Sequence, residues 1–147
     1  MATQKEIETL LKAMHKAPPS EHFQRIDKST VGIRAILKYL SENGEQATAG
    51  EISKGIGVST ARVAVLLKKM DAKGFIEKQG DPTDGRIVLV RLTERGRDTS
   101  NQLRRDMYAQ IGALIDRLGM ERLMQFAEIS REIRSVMESM NTPDKTD

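Results

Sequence analysis

Apolar residues recur at helical spacing along most of the chain and switch once to an extended rhythm. Ile7, Leu10, Leu11 and Met14 stand at i, i+3, i+4 and i+7, one stripe of a helix that Pro18 and Pro19 end. Val31, Ile33, Ile36, Leu37 and Leu40 predict a buried second helix, with caps at Ser29 and Thr30 and a left-handed stop at Asn43-Gly44. Thr48 and Glu51 have capping-box spacing ahead of a short helix bearing Ile52 and Ile56, which Gly57 breaks. Ser59 then caps a helix with Val63, Leu66, Leu67 and Met70 inward, and Gly74 closes it. Extended runs follow at 75–79 and 87–92, a β-hairpin pattern. Thr93 caps a long helix carrying Leu103, Met107, Ile111, Leu114 and Leu118. Beyond Gly119 a last helix carries Leu123, Phe126 or Ala127, Ile129 or Ser130, Ile133, Val136 or Met137, and Met140 before a frayed tail at 141–147.

Composition narrows the class. The 147 residues suffice for one ordinary domain or a compact two-lobed subunit, and no apolar stretch approaches the roughly 20 residues of a membrane span. The mixed-charge opening lacks a secretory apolar core, which predicts a cytoplasmic location. With no cysteine, disulfides, thiolate zinc sites and thiol-based oxidant sensing are excluded. Net charge is only +3, but its distribution is uneven. Residues 50–97 hold 10 Lys and Arg against 6 Asp and Glu, residues 1–49 hold 7 against 6, and residues 98–147 hold 7 against 9. The positive excess lies in the middle of the chain, and its location matters more than the total.

That middle has the order of a nucleic-acid reader. From Ala49, the apolar positions Ile52, Ile56, Val58, Val63 and Leu66, with Ser53 as a small residue for close approach and Gly57 at the corner, fit a helix-turn-helix. An ordinary helical corner has the same spacing. The hairpin straight after it, tipped by "DPTDGR" at 81–86, separates the two and makes the unit a winged helix-turn-helix.

The run "GVSTARVAVLLKKMDAKGFIEKQGDPTDGRIVLVRLTERG" resembles the multiple antibiotic resistance regulator (MarR) family, and the likeness covers roughly residues 30 to 140. It implies a mainly α fold with a small β-hairpin wing. Residues 31–97 form the DNA-binding domain, residues 1–30 and 98–140 a helical dimerisation region, and residues 141–147 a flexible tail. The implied partners are double-stranded DNA with a near-palindromic operator and a second copy of the chain, with recognition helices about 34 to 36 Å apart. Carried onto this sequence, Ser59, Thr60, Ala61, Arg62 and Ala64 occupy the exposed start of the recognition helix. Arg62 suits a bidentate contact to guanine, or else a phosphate or solvent. Lys68 and Lys69, with Lys73 beyond, suit phosphate contact or plain solvation more than base reading. Val65 departs from the family, where many relatives are polar or basic, and this shrinks the expected base-reading set. In the turn, Pro82 stiffens, Gly85 relaxes, Asp81 fixes the loop, and Asp84 orients the Arg86 guanidinium toward the minor groove.

Other chemistries lack their residues. No phosphate cradle, nucleophile with base, or paired carboxylate pattern is present, so the chain reads as no enzyme and implies no cofactor. Pro18 and Pro19 separate His15 from His22, and these with Glu21 are expected to be surface residues before metal ligands. Met107, Met120, Met124, Met137 and Met140 fit a core or dimer seam better than an effector pocket. The flanking stripes exceed what a small winged domain covers. Burial against a second copy is expected, with packing of the flanks within one chain as the competing arrangement. The functional expectation is a homodimeric repressor released by a small-molecule effector. The alternative is a winged-helix protein-interaction or architectural DNA-binding module without a specific operator.

Overall fold

The computed structural model describes residues 1–15 and 28–141. Its elements run α1 (Gln4–His15), α2 (Lys28–Glu42), β1 (Gln46–Thr48), α3 (Ala49–Ile56), α4 (Thr60–Ala72), β2 (Ile76–Gly80), β3 (Val88–Leu92), α5 (Glu94–Leu118) and α6 (Met120–Asn141). The expected break at Pro18-Pro19, the pair Glu21 and His22, and residues 142–147 of the tail lie outside the described residues. The chain divides into two compact units, Met1–Gln24 with Asp106–Asp147, and Arg25–Arg105.

In the unit Arg25–Arg105, the helix boundaries follow local chemistry. Thr48 and Glu51 form the expected capping box, with the Thr48 hydroxyl accepting from the Glu51 N–H at 3.2 Å and the Glu51 carboxylate accepting from the Thr48 N–H at 2.7 Å. Ser59 caps α4 by accepting from the Arg62 N–H at 3.2 Å. Each cap stabilises its helix by about 1 kcal/mol. Ser29 and Thr30, expected as caps, instead fall within the first turn of α2, which begins at Lys28.

The core of this unit joins α2, α3, α4 and the sheet. Ile36, Leu40, Ile52, Val63 and Met70 have no exposed surface. Val31, expected in the buried stripe, is 49% exposed because it sits on the far side of α2 from Ile33, Ile36 and Leu37. The sheet has three antiparallel strands in the order β1-β3-β2. The predicted hairpin is β2 and β3, paired from Ile76 opposite Leu92 to Gly80 opposite Val88. β1 was not anticipated: three residues are too few to show a period, and only pairing of Gln46 with Arg91 makes them a strand.

α5 is docked by its first turn. The Thr93 hydroxyl accepts from the Gly96 N–H at 3.0 Å and donates to the Gly74 carbonyl at 2.6 Å, while the Thr93 N–H donates to the Phe75 carbonyl at 3.0 Å. Gly96 lies so close to the chain entering β2 that a Cβ there would stand 2.0 Å from the Phe75 carbonyl oxygen. The "LT-x-x-G" pattern is therefore a steric and hydrogen-bonding requirement, met by Thr93 and Gly96.

In the unit Met1–Gln24 with Asp106–Asp147, Ile7 and Leu10 of α1 pack with Ile115 and Leu123, and Met120 and Met124 lie against them. The stripe read along α5 is rotated. Met107 and Leu118, expected inward, are 38% and 43% exposed, and Ile115 is buried in their place. On α6 the open choice at 126/127 falls to Ala127, leaving Phe126 exposed.

Candidate nucleic-acid interface

The corner between α3 and α4 is built around Ser53. Its carbonyl accepts from the N–H groups of Gly57 at 3.0 Å and Val58 at 3.3 Å, and its hydroxyl donates to the Val58 carbonyl at 2.5 Å. Gly57 has φ 70°, the left-handed conformation that a sharp corner needs. Ser53 thus serves as a bonded latch, and the close approach expected of it belongs to Gly55, where a Cβ would stand 2.0 Å from the Tyr39 ring of α2.

This corner presents α4 with one face buried and one face open. Val63, Leu66, Leu67 and Met70 face the core, while Thr60, Ala61, Arg62, Ala64, Val65, Lys68 and Lys69 are all exposed. Ser59 is also exposed, with its hydroxyl engaged in the cap, so its position here is first that of a helix-start residue.

The wing turn is organised by its two aspartates. Asp81 accepts from the Thr83 hydroxyl at 2.6 Å, the Thr83 N–H at 2.7 Å and the Asp84 N–H at 3.3 Å. These bonds, with the Thr83 hydroxyl foremost, hold its carboxyl below the usual carboxylate pKa. The Asp84 carboxylate accepts from the main-chain N–H of Arg86 at 3.0 Å. The expected bond to the guanidinium is therefore replaced by one to the backbone, because a two-residue loop return brings that N–H nearest. Asp84 orients the turn backbone at Arg86, whose side chain is exposed. The left-handed glycines of the described chain are Gly44, Gly57, Gly74 and Gly119, so Gly85 does not relax the turn by that route.

A clamp that sequence reading missed lies behind the sheet. Glu45 has φ 64°, uncommon for a side chain with a Cβ, and its carboxylate accepts from Arg97 Nε at 2.7 Å and Nη2 at 2.6 Å. The Glu45 carbonyl also accepts from the Leu92 N–H at 2.9 Å. The Arg97 bond holds the Glu45 carboxyl below its ordinary pKa. Stabilisation from a lowered carboxyl is complete above the unfolded value and is lost as pH falls through the folded one. The urea midpoint of the native chain is thus expected to drop more than that of Glu45→Gln between about pH 7 and about pH 3. Parallel drops in the two chains would show the pair to be inert.

The family model for the MarR family matches residues 35–87, from α2 through the end of the wing turn. Over those residues the winged helix-turn-helix matches the MarR family. The HTH-type transcriptional regulator YdgJ of Bacillus subtilis, itself uncharacterised, is 32% identical over 65 residues, 44% of this chain and 40% of YdgJ. The chain therefore spans about two fifths of that relative's length. Among solved structures, FabT of Streptococcus pneumoniae in complex with DNA aligns with TM-score 0.60 and 21% identity, over 76% of this chain and 77% of FabT. The PcaV transcriptional regulator of Streptomyces coelicolor aligns with TM-score 0.66 and 21% identity, over 92% of each chain. The curated relatives are transcriptional regulators rather than enzymes.

Every site residue expected from the sequence is exposed on α4, its cap or the wing turn, with the Ser59 hydroxyl engaged in the cap. Among the described residues no three His, Cys, Asp or Glu side chains gather to hold a metal ion, and no helix is long and apolar enough to cross a membrane. The His15 side chain and His22 lie outside the described residues. Met107, Met137 and Met140 are exposed, while Met120 and Met124 pack on the α1 cluster.

Proposed function

We propose that the chain is a sequence-specific DNA-binding transcription regulator that works as a homodimeric repressor released by a small-molecule effector. Residues 31–97 would read DNA, and residues 1–30 with 98–140 would pair two copies. The observation that carries the reading is the open face of α4: a capped helix start exposing Thr60, Ala61, Arg62 and Ala64, with Lys68 and Lys69 in its next turns and an exposed wing arginine in the same compact unit. The helix start suits base edges, the lysines suit phosphates, and Arg86 suits a narrow minor groove.

Pairing is supported by α6. Phe126, Ile129, Ile133, Val136, Met137 and Met140 are each about half or more exposed and lie along one side of the helix. A stripe of that length left in water is unfavourable, and a symmetric partner offers the same stripe in return.

An effector site is supported by a cleft of about 180 Å³ inside the unit Arg25–Arg105. Ile33, Leu37, Phe75 and Leu103 supply apolar walls, with Arg34, Lys73 and Thr99 as polar groups. Two cations over an apolar floor suit a small organic acid.

The test is fluorescence anisotropy of the full chain on duplexes from its own upstream region, beside a scrambled duplex, across a salt series. Preferential binding is expected, with a slope of about −0.9 per phosphate contacted. Arg86→Ala and Arg62→Ala are each expected to weaken the preferred duplex by about 1 to 3 kcal/mol. Equal, weak binding to both duplexes would favour an architectural role. No binding at low salt would leave protein partners as the function of the domain.

A further inference from the structure

The centre of the open face of α4 is apolar. Ala61, Ala64, Val65 and Lys68 follow i, i+3, i+4, i+7 spacing, which places them on one side of the helix. All four are exposed, and Val65 is 57% so, whereas Val63, Leu66, Leu67 and Met70 on the opposite side are nearly or wholly buried. Val65 therefore contributes nothing to the core that its neighbours provide. Its exposure cannot be ascribed to a loose helix end either, because it lies mid-helix between a capped start and Ala72.

We infer that Val65, flanked by Ala61 and Ala64, reads the C5-methyl groups of thymines in the major groove. The inference rests on the DNA-reading function proposed above and names what that face recognises. In the major groove each thymine offers a methyl, and apolar side chains are its complement. A cytosine offers no methyl and presents an amino donor nearby, which an apolar side chain leaves without a partner. The basic residues around this patch, Arg62 and Lys69 beside it and Lys68 one turn beyond, favour an anionic duplex as the occupant over an apolar protein surface. Val65 thus enlarges the base-reading set that its departure from the family pattern had seemed to reduce. The added readout is hydrophobic, and the expected half-site carries at least one thymine fixed by its methyl alone.

The experiment uses the full-length chain in rounds of selection from a random duplex pool. The enriched duplex is then resynthesised with deoxyuridine in place of each thymidine in turn, which deletes the methyl and keeps the pairing edge. Binding is read by anisotropy at one salt concentration. Burying one methyl is worth about a three- to fivefold change in affinity, so one or two thymines per half-site should show a loss of that size. Val65→Ala should bind the parent duplex about three- to fivefold more weakly, lose the deoxyuridine penalty at one of these positions, and bind the duplex with deoxyuridine there as the native chain does, a double-mutant cycle that separates contact from changes in duplex shape. Alanine is the better helix former and Val65 is outside the core, so the variant should melt with the native chain.

Deoxyuridine duplexes all binding like the parent would overturn the inference, as would penalties that persist unchanged in Val65→Ala. In both cases the enriched duplex would still uphold DNA reading. A selection that enriches nothing would overturn the DNA-reading function and this inference together.

Discussion

Replacing Ile133 with aspartate is expected to convert the proposed homodimer to monomers, read as a halved mass by light scattering. Ile133 is 53% exposed, so the carboxylate need not enter the core of its own chain. In a symmetric pair, however, it would bring two negative charges into an apolar seam with no cationic partner, which costs several kcal/mol. DNA affinity should fall by about a hundredfold or more, because the second half-site is then no longer held at high local concentration. Ile133→Leu keeps the apolar surface and should behave as the native chain. A native chain that is already monomeric, or an Ile133→Asp chain that stays dimeric, would show that α6 is not the seam.

Gly96→Ala is expected to lower stability by about 2 to 4 kcal/mol, although alanine normally improves a helix by up to about 1 kcal/mol over glycine. The sign reverses because the added Cβ would meet the Phe75 carbonyl oxygen at 2.0 Å, a backbone atom that cannot rotate away. That oxygen also accepts from the Thr93 N–H, so moving it loosens the first turn of α5 as well. The thermal midpoint should drop by roughly 5 to 15 °C, measured by circular dichroism. Gly50→Ala is the matched control, since its Cβ would meet nothing nearer than the Thr48 hydroxyl at 3.9 Å. It should leave the midpoint level or slightly raised. Equal effects at the two positions would show that the α5 start shifts freely.

The two variants mark where sequence patterning succeeded and where it stopped. Helix starts were legible because capping is local: Thr48 with Glu51, Ser59 and Thr93 each need only a residue three places away. The inward face of α4 was legible for the same reason, since a 3.6-residue period is a property of one segment. On α5 and α6 that period named candidate stripes without choosing among them. Ile115 is buried because it packs with Ile7 and Leu10 of α1, and Ala127 is buried as well, while Met107 and Phe126 remain partly in water.

The amino-acid order by itself determined the helices, the helix-turn-helix corner and the wing, because each depends on contacts between near neighbours, and it placed the basic excess in the middle of the chain. The tertiary structure decided the rest. It paired β1 with β3 across more than forty residues, joined Glu45 to Arg97, turned Asp84 to the backbone of Arg86 and left Val65 open on α4. The long-range pairings join residues whose separation in sequence carries no period, and exposure depends on what the rest of the chain covers. Both are set when distant segments pack, which no local pattern records.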